Sequence, residues 1–165
     1  MSARRPPSLP SVEQAASLVA GIRGAGGLVV FTNGVFDLLH PGHVRYLADA
    51  RLLGQALIVG LNSDRSVRAN KGPARPITTA VERAEILLAL ACVDAVVVFD
   101  EDTPDAIIKR LQPDILVKGA DWGPHDIVGR DTVEARGGRV VRMALAPGYS
   151  TSHLIRQVKA LDTSR

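Results

Sequence analysis

The sequence predicts an α/β fold carried by a single doubly wound parallel sheet of five strands, and three observations point to it. Five short runs rich in Val, Ile and Leu (Leu28–Phe31, Ala56–Leu61, Ala95–Phe99, Ile115–Val117 and Val140–Leu145) are nearly continuous in apolarity, as strands buried on both faces are. Segments with helical spacing and recognisable ends separate them, and strands that alternate with helices join as parallel units with right-handed crossovers. The 165 residues, 46% hydrophobic and 22% charged, suit one domain with a sizeable core and exclude a wholly disordered chain.

Taken in order, Met1–Pro10 holds three prolines, two arginines and two serines, a composition that resists helix and strand. Residues 1–10 are therefore expected to be a disordered lead-in and residues 11–165 the folded domain. Ser11 and Gln14 have capping-box spacing, and Val12, Ala15, Val19 and Ile22 share one helical face until Gly24. Pro41 opens a second helix that stops at Gly54, and Thr79 with Glu82 caps another through Ala91. Pro104 opens the next, which ends before Pro113. Pro124–Arg136 has helical spacing interrupted by Gly129, and Thr151–Leu161 closes the chain. No internal repeat or low-complexity linker marks a second domain.

Composition narrows the function. Cys92 is the single cysteine, which excludes an internal disulfide, and it reads as a small core residue rather than a nucleophile. No stretch approaches the ~18 consecutive apolar residues of a membrane span and no secretory apolar region is present, so a cytoplasmic protein without a membrane partner is expected. Twenty Lys and Arg against 17 Asp and Glu leave a formal charge of +3, a small excess whose position matters more than its sum. Three Phe, two Tyr and one Trp, with no interleaved basic pattern, argue against a nucleic-acid partner.

Ligands of doubly wound sheets sit beyond the carboxyl ends of the strands, where the winding reverses. The first strand runs there into Phe31-Thr32-Asn33-Gly34-Val35-Phe36-Asp37-Leu38-Leu39-His40-Pro41-Gly42-His43. Pro41 at the first helical position turns the free N–H groups and positive dipole end of the helix toward that edge, with His40 and His43 on one side. Gly42 removes a side chain where a phosphate must come close. The imidazoles suit donation to phosphoryl oxygens and to the charge that builds in a displacement at phosphorus. Taken alone, H-x-x-H reads first as a helix cap at His40 with a core-facing His43, and next as a pair of metal ligands; no further ligand cluster lies at the same strand edge, which speaks against metal, and phosphate contact is preferred. No Walker-type loop and no G-x-G-x-x-G follows a strand, so those two nucleotide sites lose support.

Gly34-x-Phe36-Asp37-x-x-His40-x-Gly42-His43 resembles the signature of the H-x-G-H nucleotidyltransferase superfamily, also called cytidylyltransferase-like. Its members have a Rossmann-like fold and join a nucleoside monophosphate from a nucleoside triphosphate to a phosphorylated acceptor. Near the far end, Gly148-Tyr149-Ser150-Thr151-Ser152 resembles the family's G-x-S-T-[ST] triphosphate motif, although alone Ser150 or Thr151 reads equally as a helix cap. The resemblance spans residues 28–160. Within it, Asn62-Ser63-Asp64, Lys71-Gly72-Pro73-x-Arg75-Pro76-Ile77, Glu82-Arg83, Glu101-Asp102-Thr103-Pro104 and Lys118-Gly119-Ala120-Asp121-Trp122 look most like the adenylyltransferase branch of ADP-heptose synthesis. The near alternative is a glycerol-3-phosphate-type cytidylyltransferase, which carries R-T-E-G-I-S-T-T where this chain has Leu145-Ala146-Pro147-Gly148-Tyr149-Ser150-Thr151-Ser152 and lacks the arginine. The alternative of another class is a non-catalytic ATP-binding sensor, against which the paired histidines and Lys71 speak.

The resemblance implies AMP transfer from ATP to a sugar 1-phosphate, D-glycero-beta-D-manno-heptose 1-phosphate above all, with Mg2+ carried by ATP rather than held in a protein cage. It places His40, His43, Lys71 and Arg83 in catalysis, the first pair at the α-phosphate and the second pair on the departing charge. Thr32, Asn33, Gly34, Phe36, Asp37, Gly42, Gly148, Ser150, Thr151 and Ser152 fall on the nucleotide side. Asn62, Asp64, Lys118, Gly119, Asp121 and Trp122 fall on the substrate side, where Lys118 and Asp121 meet acceptor or nucleotide and Trp122 stacks or packs. Asp37 either orients His40 or sits near the metal. Lys71, beside Gly72, is expected on a turn, whereas Arg65 and Arg68 read as a solvated face. A homodimer is also implied.

Overall fold

The computed structural model describes residues 9–123, 125–144 and 147–162, so most of the expected lead-in, together with Pro124 and Leu145, lies outside the described residues. Its elements in chain order are α1 (Val12–Gly24), β1 (Val29–Gly34), α2 (Pro41–Arg51), β2 (Ala56–Asn62), α3 (Asp64–Lys71), α4 (Ala80–Leu88), β3 (Ala95–Phe99), α5 (Asp105–Leu111), β4 (Ile115–Gly119), α6 (Arg130–Glu134), β5 (Arg139–Met143) and α7 (Thr151–Asp162). The five strands form one parallel sheet in the order β3-β2-β1-β4-β5, so the winding reverses between β1 and β4. The doubly wound α/β fold is therefore present, with five strands as expected.

Strand pleating sends successive side chains to opposite faces, and two apolar layers result. On one face Val29, Phe31, Ile58, Val97 and Leu116 pack with Val19 of α1, Ile108 of α5 and Val133 of α6. On the other, Val30, Leu57, Val59, Val96 and Val117 pack with Leu47 of α2 and Ala84 and Leu87 of α4. The caps behave as their sequences require: Ser11 with Gln14 and Thr79 with Glu82 form reciprocal capping boxes, and Pro41 occupies the first turn of α2. No described helix is long and apolar enough to cross a membrane.

The elements differ from the sequence reading where polar residues or glycine decide. β1, β2 and β4 run on to Gly34, Asn62 and Gly119, past the apolar runs, because their C-terminal ends carry Thr32, Asn33, Asn62 and Lys118 toward the ligand edge. The stretch Asp64–Lys71 is a helix, capped by the Ser63 hydroxyl on Ser66 N–H, and Lys71 is its last residue rather than part of a turn. Its apolar periodicity is hidden because Val67 is the only large apolar side chain it buries. Gly129, at φ 87°, starts α6 instead of interrupting a longer helix, and α2 and α4 end at Arg51 and Leu88, short of the expected Gly54 and Ala91. Pro104 precedes α5 as its N-cap rather than opening its first turn.

Gly60 in β2 illustrates how tight the sheet is: a Cβ there would lie 2.6 Å from Cζ of the fully buried Phe31. Gly60→Ala is expected to lower stability by about 1–3 kcal/mol, the usual cost of overpacking, read as a lower urea midpoint with the far-UV spectrum preserved.

Candidate active site

β1 and β4 share only two register pairs, Val30 with Ile115 and Phe31 with Leu116, whereas β1 stays paired with β2 along its whole length. Beyond Phe31 the two strands part, and side chains replace the ladder between them. Thr32 Oγ1 donates to the Val117 carbonyl at 3.0 Å and bonds Tyr46 Oη at 2.8 Å. Farther out, Lys118 Nζ donates to Asn33 Oδ1. The opening is a cleft of about 360 Å³ lined by Asn33–Phe36, His40, Gly42, His43, Tyr46, Lys71, Lys118, Gly119, Asp121, Trp122, Tyr149, Ser150 and Thr151. A wider groove continues from it past Asn62, Asp102–Pro104 and Ser152.

At the N-terminus of α2, His40 is the N-cap: its Nδ1 accepts from the His43 N–H at 3.3 Å. A neutral imidazole that accepts at Nδ1 carries its proton on Nε2, which leaves His40 a donor. The His43 ring stacks on His40, centroids 3.7 Å apart and planes 13° from parallel. Phe36 closes the other side at 5.2 Å. Phe36 holds this place with φ at 47°, a left-handed conformation that costs about 1–3 kcal/mol in a bulky residue, and its ring folds back over Gly34, where a Cβ would sit 2.9 Å from Cε2. Burial lowers the pKa of both imidazoles, and with the added proximity of His40 it takes His43 down to about 4, so both are neutral at pH 7. The His43 Nδ1 is buried and has no hydrogen-bond partner among the described residues.

Gly42 serves a contact that the sequence alone does not announce. A Cβ at Gly42 would meet the Tyr149 Cβ at 2.9 Å and the His40 Nδ1 at 3.0 Å, so the glycine lets the C-terminal segment seat directly on α2. Tyr149 also faces the His40 ring at 5.9 Å, and the Arg45 guanidinium lies 5.5 Å from its ring centre. Tyr149 thereby carries Ser150 and Thr151 to the cleft. Ser150 Oγ caps α7 by accepting from the His153 N–H at 3.1 Å, Gly148 makes the preceding turn at φ 81°, and Ser152 lines the outer groove.

Beneath the cleft lies a layer of committed charges, and here four assignments need correction. Arg83, fully buried, donates from Nε to the Thr78 carbonyl, from one terminal nitrogen to the Val35 carbonyl, and from the other to the Asn62 carbonyl and Asp64 Oδ1. Its guanidinium is committed to these partners and does not line the cleft, so Arg83 positions the loops around the site instead of meeting departing phosphate. Asp64 is its ion-pair partner at 2.8 Å, which removes it from the substrate side. Asp37 accepts from Arg75 Nε, from the Ile77 and Thr78 N–H groups and from Thr78 Oγ1. Burial favours its protonation, but the Thr78 and Ile77 amides and Arg75 outweigh it and hold the carboxyl below the usual range. Asp37 therefore fastens the 75–78 loop; it neither orients His40 nor offers free oxygens to a metal. Thr32 is likewise fully buried, its hydroxyl consumed between β4 and Tyr46.

The remaining candidates converge. Lys71 is exposed, lines the cleft and has no hydrogen bond or ion pair among the described residues. Asn62 reaches the groove with its amide bonded to Ser66 Oγ at 2.9 Å. Asp121, Gly119 and Trp122 stand opposite the histidines on the β4 side. Arg65, expected to be solvated only, ties α3 to Asp100 and Asp102, which sets the position from which Lys71 projects. Sequence reasoning missed Tyr46, although it follows His43 by one helical turn, and the lining contribution of the 102–104 loop. Among the described residues no three His, Cys, Asp or Glu side chains come together as a metal site.

A family model described as Cytidylyltransferase-like matches residues 31–157. The curated relatives include the Bifunctional protein HldE of Syntrophotalea carbinolica, 57% identical over 136 residues that cover 82% of this chain and 28% of that protein. The Bifunctional protein HldE of Citrifermentans bemidjiense is 53% identical over 150 residues, 91% of this chain and 31% of the relative. The chain thus spans under a third of the length of these two relatives. Among solved structures, the lipopolysaccharide core biosynthesis protein from Thermoplasma volcanium GSS1 superimposes with a TM-score of 0.63 at 28% identity, covering 73% of this chain and 99% of that one. A protein of unknown function from Archaeoglobus fulgidus shares the fold, with a TM-score of 0.56 at 21% identity over 74% of this chain and 94% of its own.

Two outcomes follow from the charges under and in the cleft. Arg83→Met leaves Asp64 and three carbonyls without their donor and is expected to cost about 3–5 kcal/mol in urea unfolding, whereas Lys71→Ala leaves the midpoint unchanged. For His43 the folded pKa of about 4 lies below the ordinary 6.5, so the unfolded chain binds the proton more tightly. That contribution to stability is intact above pH 6.5 and disappears as pH falls to about 4. Urea midpoints measured across this interval should fall more steeply for the wild type than for His43→Asn.

Proposed function

This chain belongs to the cytidylyltransferase-like family, and from that premise we propose that it transfers AMP from ATP to a sugar 1-phosphate. D-glycero-beta-D-manno-heptose 1-phosphate is the acceptor the motifs favour, giving ADP-heptose and pyrophosphate. The observation that carries the reading is the stacked, neutral imidazole pair at the start of α2, facing a cleft that Lys71, Ser150 and Thr151 also line. The identity to proteins named Bifunctional protein HldE supports the adenylyl branch, and the relative named for lipopolysaccharide core biosynthesis supports a sugar acceptor.

In this reaction an oxygen of the acceptor phosphate attacks the α-phosphorus in line. A P–O bond forms there as the bond from the α-phosphorus to the bridging oxygen breaks, and pyrophosphate leaves with the magnesium that arrived on ATP. The nucleophile is already an anion, so no base has to remove a proton and no covalent enzyme intermediate is required. Catalysis is then positioning and stabilisation of charge. Neutral His40 and His43 donate to the α-phosphate and bridging oxygens. Lys71, which has no competing partner among the described residues, follows the departing charge. Ser150, Thr151 and the free N–H groups of α7 hold the triphosphate, with Asn33, Gly34 and Phe36 on the nucleoside side. A homodimer is part of the same reading.

The test is pyrophosphate release across a panel of nucleotides and acceptors. ATP with heptose 1-phosphate should far exceed CTP with glycerol 3-phosphate; the reverse order would make the chain a cytidylyltransferase, and tight ATP binding with no release would make it a sensor. His43→Ala is expected to lower turnover by about 10²-fold, the worth of one such donor, with the fold intact by circular dichroism. Near-normal turnover in that variant would overturn the assignment.

A further inference from the structure

The His43 ring reaches its place without a hydrogen bond of its own. Among the described residues its Nδ1 has no partner and the ring makes no other hydrogen bond; it stacks on His40 and meets Phe36. Its position is inherited from α2, so whatever fixes the histidine end of that helix on the sheet fixes the imidazole pair. Leu47 and Ala50 bury α2 against the core, but apolar packing is not directional. Among the described residues, the α2 side chains that hydrogen-bond beyond the helix are Tyr46 and Arg51. Arg51 lies about 12 Å past His43 along the axis, whereas Tyr46 lies about 4.5 Å past it and on the same face. Tyr46 is therefore the directional tie at the histidine end.

The hydrogen bonds that start at Tyr46 can run in one direction only. A carbonyl accepts, so the single Thr32 hydroxyl proton lies on the 3.0 Å bond to the Val117 carbonyl, and Thr32 Oγ1 accepts the Tyr46 proton across 2.8 Å. Tyr46 is thereby tied, through Thr32 of β1, to the β4 carbonyl just beyond the last β1–β4 register pair, Phe31 with Leu116. With its proton spent on Thr32, the phenol has none to give to the reaction. Burial, with Asp121 adding to it, takes the Tyr46 pKa up to about 12 despite the Thr32 hydroxyl beside it, so the donor persists at neutral and mildly alkaline pH.

We propose that Tyr46 is the positioning residue of the imidazole pair: its hydroxyl, through Thr32, registers the start of α2 on the Val117 carbonyl where β1 parts from β4. The strand opening that makes the cleft then also sets where His43 stands in it. The consequence for rate rests on the nucleotidyl-transfer reading above, whereas the geometry does not. A misplacement of about 1 Å costs a well-oriented site about 10²-fold, and cutting one of several restraints on α2 is expected to cost about 10-fold.

Tyr46→Phe removes the phenolic hydroxyl and keeps the ring, Thr32→Val cuts the link one bond later, and Thr32→Ser keeps the hydroxyl. With ATP and heptose 1-phosphate, Tyr46→Phe should lower kcat about 10-fold and leave both KM values within about 2-fold, while Thr32→Ser stays within about 2-fold of the wild-type kcat. The double variant of Tyr46→Phe with Thr32→Val should lose no more than about 2-fold beyond the poorer single variant, because both substitutions break the same link. Should Thr32→Val fail to fold, Tyr46→Phe and Thr32→Ser carry the test. An NMR signature accompanies these rates and does not depend on turnover: rings stacked 3.7 Å apart shield each other's protons, and in Tyr46→Phe the His40 and His43 ring resonances should move toward ordinary imidazole positions. Wild-type kcat in a folded Tyr46→Phe, losses that multiply in the double variant, or unmoved imidazole resonances would overturn the proposal while leaving the transfer reaction standing. If the wild type releases no pyrophosphate with any acceptor, the transfer reading falls, and the resonances decide the positioning role by themselves: moved in Tyr46→Phe they support it, unmoved they overturn it.

Discussion

The parting of β1 from β4 is the constraint from which the rest of the structure follows. Parallel strands are held by a regular ladder, and this one stops after Phe31 and Leu116. Every backbone group released there has to be satisfied, since an unpaired buried carbonyl is expensive. Thr32 meets that demand with its hydroxyl on the Val117 carbonyl, and Lys118 bonds Asn33 farther out. The gap between the strands becomes a cleft whose walls are already polar. α2 starts on one side of it and the Gly119–Trp122 turn on the other, so the imidazoles and the Lys118–Trp122 side are set opposite each other by topology.

A second layer keeps this opening rigid. Arg83 binds three carbonyls from three different segments, after β1, at the end of β2 and before α4, and Asp37 gathers the 75–78 loop beneath them. Charges this deep are weak contributors to net stability, but removing one partner strands the others. Their value lies in placement: Val35 and Phe36 are held in the conformation that presses Phe36 against His43, and the imidazoles are kept buried enough to stay neutral. Among the described residues the cleft-lining Lys71 and Lys118 have no carboxylate partner within ion-pair distance, whereas Arg83 and Arg75 each have one. The cations that open into the cleft and those that support it are thus different residues.

The fold was legible in the sequence because five apolar runs and four caps all pointed the same way, and local and global preferences agreed. The histidine pair, the Gly148–Ser152 segment and Lys71 were legible because glycine, proline and histidine at fixed offsets have few other uses. What failed was the assignment of charged residues by motif alone. Arg83, Asp64 and Asp37 look like ligand-facing groups in a string of letters, and only burial distinguishes a cation that meets solvent from one wrapped in carbonyls. α3 was missed for a related reason: a helix with one large buried apolar residue leaves almost no periodicity to read. Tyr149, an unspecified position in the motif as the sequence shows it, turned out to seat the C-terminal segment on Gly42 and His40.

The central claim is that the parted strands bring two phosphates together for a single displacement, with no covalent step on the enzyme. The stereochemical course at the α-phosphorus tests it most directly, using ATP that carries sulfur at that centre in one known configuration and heptose 1-phosphate as acceptor. One in-line displacement inverts the configuration in the sugar nucleotide product, which is the result this structure predicts. Retention would mean two successive displacements through a nucleotidyl-enzyme, and would contradict the account of a site whose imidazoles act only as hydrogen-bond donors.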